Sequence, residues 1–443
     1  MHMRQPIKIA VIGGGSTYTP ELIEGLLASA VPVREVALVD PDLWKLEIVG
    51  GLAQRMTVAT GNPFAVTLTH ERSAALDGAD IVVTQFRVGG MAARILDERI
   101  PQQFGLIGQE TTGPGGFAKA LRTIPVILDI NREMALRCPD AWMINFTNPS
   151  GLITEALRRH GQGKFVGLCN YPLTLKMNAA RALQVAEERL ELAYFGLNHL
   201  SWARVLVDSA DRTEELLALM PTTPEGRTLS GYPFTPELLA RLGLIPSGYL
   251  RYYYETAAQV EAQRTAPQTR GEFVRAVEEQ LLVCYADQRL CRKPAELQQR
   301  GGAWYSTAAV RLIADLYDPR GATHVLNVPN GGALPFLPPE VIVEVPARVN
   351  DDRIAGLPVI ATVGDAFSLA GHPIPAEVIA LTQRVKAYEL AAVHAAVTGA
   401  REDAITALAL HPLLDGRHDA IPDVIDALFT AHQAYLPCGA SAG

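Results

Sequence analysis

The hydrophobic pattern divides the chain into short apolar runs separated by longer amphipathic stretches. IKIAVI (7–12), EVALVD (35–40), FAVTLT (64–69), DIVVTQF (80–86), AWMINF (141–146) and KFVGLC (164–169) read as strands. Between them the pattern predicts helices from Pro20 to about Ala28, over about 42–59 and 117–137, and onward from Pro149. Thr19 is a candidate N-cap, with Pro20 at the first helical position. Apolar strands alternating with helices predict a mostly parallel, doubly wound sheet covered on both faces.

Beyond residue 199 the pattern changes. WARVLVD (202–208) reads as a strand of a different sheet, and 220–236 as a Pro- and Thr-rich surface segment. Long helices are expected near 271–286 and 306–317. VIVEVPARV (341–349) alternates as a half-exposed strand does, and 375–435 is almost all helical in pattern, interrupted at Pro412. The chain thus reads as two domains, 1–197 and 198–443, with their boundary beside a candidate functional histidine.

Composition narrows the function. The 443 residues are 48% hydrophobic and 19% charged, with a net charge of −8, which argues against a general nucleic-acid binder. The five cysteines (Cys138, Cys169, Cys284, Cys291, Cys438) are odd in number and unclustered, so a reducing compartment is expected rather than a disulfide framework. The N-terminus lacks a signal-peptide pattern, and no run approaches the ~20 apolar residues of a membrane span. A soluble cytoplasmic protein is expected.

Gly13-x-Gly15 follows a strand and precedes a helix, the context a dinucleotide loop requires. Tyr18 stands where a third glycine is usual. Asp40 ends the second strand, where a carboxylate can bind a ribose 2′-hydroxyl and disfavour a 2′-phosphate. The alternative is an ordinary glycine turn with a capping aspartate. Cys169 and His199 each follow a predicted strand. Singly, each suits a buried core position. As a pair they suit one weakly held divalent metal with open positions.

Asn145 and Asn148 bracket a turn before Pro149, and an amide there can meet a ligand or simply start a helix. Four tyrosines (249, 252, 253, 254) form either a packed aromatic face or the source of a base. Arg87, Arg94, Arg99 and Arg270 can pair with neighbouring carboxylates or converge on a phosphate. GQETTGPGGF (108–117) suits a substrate lid or an ordinary surface loop.

Taken together, IAVIGGGSTYTPEL, RVGGMAARILDERIP, GQETTGPGG, INFTNPSG, GLCN, GLNHLSW, PSGYLRYYY and NVPNGGALPFLP resemble the family 4 glycoside hydrolases over roughly residues 6–435. These enzymes depart from the two-carboxylate mechanism by using NAD. GQETTGPGG and DERIP are similar to the 6-phospho-glucosidase branch, and Asn170 to its β-acting members.

The resemblance implies an α/β protein. A Rossmann-like, doubly wound dinucleotide-binding domain is followed by a mixed α+β C-terminal domain of the lactate/malate dehydrogenase type. It implies NAD at Gly13, Gly15, Ser16, Thr17, Asp40 and Asn145, and a divalent metal, usually Mn²⁺, at Cys169 and His199. It further implies a phosphorylated glycoside at Arg94, Glu110, Asn148 and Arg270, with Tyr249 as the base, and a homodimer or homotetramer. The implied reaction is oxidation at carbon 3 of the sugar, proton abstraction at carbon 2, elimination of the aglycone, addition of water and re-reduction. The acid that protonates the leaving group is not identified by the motifs. Two other classes stand beside this expectation. One is a dehydrogenase with net redox turnover, which would accumulate NADH. The other is a nucleotide-binding sensor without metal-dependent turnover.

Overall fold

The structure, a computed structural model, describes residues 5–436 apart from 302–303, 351–352 and 365. Cys438 lies outside the described residues; the other four cysteines are free thiols. The six apolar runs become parallel strands β1 (Ile7–Ile12), β2 (Val33–Val39), β3 (Ala65–Thr69), β4 (Ile81–Thr84), β5 (Trp142–Asn145) and β6 (Lys164–Gly167). Their spatial order is β6-β5-β4-β1-β2-β3. β1 and β4 are buried along their whole lengths, as strands covered on both faces must be. The order reverses between them, and the loops after β1 and β4 diverge to leave a crevice beyond the strand ends.

Helices α1 (Thr19–Leu27), α2 (Leu43–Ala59), α3 (Gly90–Gln103), α4 (Gly113–Arg137) and α5 (Ser150–His160) connect these strands. Thr19 is not the cap of α1. Its hydroxyl donates to the Gly14 carbonyl at 2.8 Å, and Tyr18 occupies the N-cap without a side-chain cap bond.

The second half opens with an antiparallel hairpin of β7 (Leu190–Leu197) and β8 (Leu200–Val207), in a separate sheet as expected. The expected domain boundary at 197/198 falls in the turn of this hairpin. Strands β9 (Thr323–Pro329), β10 (Ile342–Asn350) and β11 (Arg353–Gly356) are antiparallel and extend the first sheet beyond β6, where Asn327 faces Gly167. The result is nine strands among the described residues. β10 is not half-exposed: Ile342 through Ala347 are all buried. Its alternation does not mark a solvent face, because β10 packs against β7 and α5 as well as its strand neighbours.

Helix α6 (Arg270–Ala286) starts with a capping box, in which Thr269 and Glu272 each bond the other's backbone N–H. α7 (Tyr305–Tyr317), α8 (Ala376–Thr398), α9 (Arg401–Leu410) and α10 (Ile421–His432) complete the helical layer, with a 3₁₀ turn at Pro412. Segment 220–236 is not wholly superficial, since Leu229 and Phe234 are buried. Among the described residues, no helix is long and apolar enough to cross a membrane.

Candidate active site

A cleft of about 1280 Å³ occupies the crevice. Gly13, Gly15, Ser16, Thr17 and Asp40 line it. So do Arg94, Glu110, Asn148, Cys169, His199, Tyr249 and Arg270. Asn145 does not. It is fully buried beneath the loop, where Oδ1 accepts from Thr84 Oγ1 at 2.8 Å and from Thr147 N at 3.1 Å, and Nδ2 donates to the Thr147 carbonyl. Asn145 therefore orders the turn that presents Asn148 and lies behind the cleft wall instead of lining it. The Asn148–Pro149 peptide is cis.

At the glycine loop, Gly13 has φ +93°, and a Cβ there would lie 2.8 Å from the Phe86 nitrogen. Only glycine fits, so the backbone stays open to the cleft. Gly15 N–H donates to Asp40 Oδ2 and Asp42 N–H to Asp40 Oδ1, both at 3.0 Å. Burial raises the Asp40 pKa against the opposing pull of these two bonds. Thr17 Oγ1 is buried with no hydrogen-bond partner among the described residues. An orphaned hydroxyl beside the uncapped N-terminus of α1 fits a bound pyrophosphate.

Cys169 stands two residues beyond β6, and its Sγ accepts from Tyr171 N–H at 3.5 Å. His199 sits in the β7–β8 turn with φ +64°, a strained backbone for a non-glycine residue and one concentrated at functional sites. Sγ and His199 Nε2 are 3.9 Å apart. Metal bonds of about 2.3 Å to sulfur and about 2.0–2.1 Å to nitrogen span such a gap. No group of three or more His, Cys, Asp or Glu side chains could hold an ion among the described residues. The chain thus offers two donors and leaves the remaining positions to oxygen ligands, a donor set that fits a divalent metal.

The Tyr249 ring stacks on His199 at 3.7 Å and 5°. Burial lowers the His199 pKa to about 3, so the imidazole is neutral and able to ligate. Burial, with Glu344 adding to it, pushes the Cys169 thiol up to about 12. Burial, and then the neighbouring Cys169 wherever it ionises, raises the Tyr249 phenol further. Thiol and phenol both hold their protons at neutral pH.

The third wall is cationic. Glu110 pairs with Arg87, with Arg94 Nη1 at 3.1 Å and with Lys119 Nζ at 2.8 Å. Burial opposes its ionisation, yet these three cations hold it well below the ordinary range. Burial, and then Arg87, lowers Lys119 to about 7. Arg94 also pairs with Glu98 at 2.9 Å. Arg270 has no carboxylate partner among the described residues; it reaches the Gln299 and Arg300 carbonyls and lies over the Phe273 ring. Cations here outnumber carboxylates, which suits an anionic ligand.

Segment 108–117 packs closely against α3. A Cβ at Gly115 would lie 2.3 Å from the Asp97 carbonyl, so the loop is packed through its glycines. The sequence reading missed Lys119 and Thr111. Lys119 lies inside a predicted helix, where a lysine reads as solvent-facing. Thr111 lies in the noted loop, but nothing in its spacing points to the His199 ring that it bonds.

A dinucleotide loop joined in one cleft to a soft donor pair and a stacked phenol defines a class of α/β enzyme in which a redox cofactor and a Lewis acid act at one reacting centre. Residues 8–185 match the family 4 glycosyl hydrolase model, and 194–414 match the model of the family's C-terminal domain. A probable 6-phospho-beta-glucosidase of Bacillus subtilis (strain 168) is 42% identical, with 98% of each chain covered. A 6-phospho-beta-glucosidase of Thermotoga maritima is 36% identical, covering 98% of this chain and 100% of its own. A crystal structure of the Thermotoga enzyme with manganese, NAD⁺ and glucose-6-phosphate superposes with a TM-score of 0.87 at 33% identity, covering 98% of this chain and 100% of that one. Cryptosporidium parvum malate dehydrogenase shares the fold at a TM-score of 0.52 and 14% identity, over 88% of this chain and 100% of that one. This chain belongs to glycosyl hydrolase family 4.

Proposed function

We propose that this chain hydrolyses 6-phospho-β-glucosides, using NAD that is regenerated in every turnover and a divalent metal, Mn²⁺. One observation carries the reading: a single cleft joins the glycine loop, the thiol–imidazole pair, Tyr249 and an excess of cations over carboxylates. The activity named for the Bacillus and Thermotoga relatives, and the manganese, NAD⁺ and glucose-6-phosphate in the Thermotoga structure, support it.

Gly13, Gly15, Ser16 and Thr17 would hold the dinucleotide, with Asp40 at the ribose, and Cys169 and His199 the metal. When bound, these groups supply a reversible hydride acceptor and a Lewis acid. The chain's residues do the rest. Asn148 orients the sugar hydroxyls. Arg270, with no carboxylate partner among the described residues, and Arg94 take the 6-phosphate. Glu110 lies against the substrate and holds Arg94 and Lys119 in place. Tyr249 removes the proton at carbon 2; its phenol needs adjacent positive charge to serve as a base.

We place the chain in the cytoplasm, where Cys169 stays reduced. We infer a homodimer or homotetramer, because Trp44, Val58 and Val283 are 59%, 64% and 76% exposed on the adjoining helices α2 and α6. Light scattering at micromolar concentration tests this, and a monomer mass would refute it.

The catalytic test uses p-nitrophenyl 6-phospho-β-glucoside in deuterated buffer with NAD⁺, Mn²⁺ and a thiol reductant. Nitrophenol release, one deuterium at carbon 2 and no net NADH are expected. Release without deuterium would refute exchangeable proton abstraction by Tyr249. Stoichiometric NADH would refute the closed redox cycle. Equal turnover of the unphosphorylated glucoside would refute the phosphate assignment.

A further inference from the structure

His199 Nδ1 lies 2.9 Å from Thr111 Oγ1. Which atom donates can be deduced from the next link. Thr111 backbone N–H lies 2.6 Å from Gln109 Oε1. A backbone N–H only donates, so this amide atom must be the oxygen, and the amide orientation is fixed independently of the histidine. The same oxygen is 2.9 Å from Thr111 Oγ1. A carbonyl oxygen only accepts, so the threonine hydroxyl gives it its one hydrogen. The reverse arrangement would set two lone pairs against each other across that gap. Oγ1 then has only lone pairs to offer the ring, and Nδ1 must carry the proton.

We propose that Thr111, oriented by Gln109, is a positioning residue that fixes His199 as the Nδ1–H tautomer and leaves the Nε2 lone pair facing Cys169 Sγ. Two contacts share the control of the ring. The Tyr249 stack sets its plane, and the Thr111 bond sets its rotation and tautomer. An imidazole ligand oriented through its other nitrogen is the general device for tuning metal affinity. This inference rests on the metal reading only in its consequence for affinity; the tautomer is a property of the chain itself.

The test compares the parent with Thr111→Val, which keeps the shape and removes the acceptor, and Thr111→Ser, which restores it. ¹⁵N shifts of the His199 ring, assigned by loss of its signals in His199→Asn, report the tautomer of the metal-free protein. Calorimetry reports Mn²⁺ affinity. The expected result is Nδ1–H in the parent and in Thr111→Ser, and a shift toward Nε2–H in Thr111→Val. Mn²⁺ affinity should fall roughly 10–100-fold in Thr111→Val and recover in Thr111→Ser. An Nε2–H parent, or a Thr111→Val ring unchanged from the parent's, overturns the proposal. A parent that shows the Nδ1–H tautomer but takes up no Mn²⁺ would refute the metal reading and leave the tautomer assignment standing.

Discussion

Tyr249 and His199 form the closest ring stack among the described residues, and it separates two roles of the tyrosine. Tyr249→Phe keeps the aromatic face against His199 but loses the phenol. Turnover should fall about 10²–10⁴-fold, the scale of a lost general base, while calorimetric Mn²⁺ affinity stays at the parent value. A variant that loses both would make Tyr249 a support for the imidazole instead of a base. Arg270 gives a second residue-level prediction. Arg270→Met should raise KM for the phosphorylated glucoside roughly 10–100-fold, the equivalent of one charged hydrogen bond, and leave turnover at saturation near normal. An unchanged KM would move the phosphate elsewhere. The meeting of Gly13, Asp40, Cys169 and His199 in one cleft was legible in the sequence, because a local motif marks each of them. Lys119 and Thr111 were not, because their partners Glu110 and His199 are reached through packing of the loop and α4, not through a spacing rule.

Among the elements, β1, its glycine loop and α1 were readable because each obeys a local rule: an apolar run, a positive-φ glycine, and proline in the first helical turn. The unforeseen packing of the 108–117 loop and the half-exposure read for β10 share one cause: both carry local patterns of exposure that tertiary contacts override. Gly115 illustrates the first, because its missing side chain is occupied space: the Asp97 carbonyl stands 2.3 Å from where a Cβ would be. Gly115→Ala should therefore destabilise the protein by about 1–3 kcal/mol as an overpacked core position, read as a lower denaturation midpoint. A midpoint equal to the parent's would show that the loop moves aside to admit the methyl group.

Across the whole molecule, one buried carboxyl gathers the two halves. Glu344 on β10 accepts from Asn198 at 3.0 Å and Asn327 at 3.2 Å through Oε1, and from Tyr194 at 2.7 Å through Oε2. Burial lifts its pKa from 4.5 to about 7, with its three hydrogen-bond donors opposing the shift. The folded state thus prefers the protonated form. That contribution is fully present below about pH 4.5 and is lost as pH rises through about 7. Glu344→Gln is neutral throughout, so thermal midpoints of the parent should drop more steeply than the variant's between pH 5 and 8. Parallel curves would show that Glu344 is ionised in the fold at both ends of the range.

Asn198 adjoins His199, and Asn327 lies opposite Gly167, two residues before Cys169. The segments that bear the thiol and the imidazole are thus fastened by a strand drawn from near residue 344, far along the chain. Neither half is a cartridge that can be lifted out and fused to another partner. A gene cut at residue 197 should give a first fragment that fails to accumulate in soluble form alone and recovers when the second is co-expressed, and grafts of new specificity on this scaffold belong in the cleft-lining side chains, not in exchanged halves.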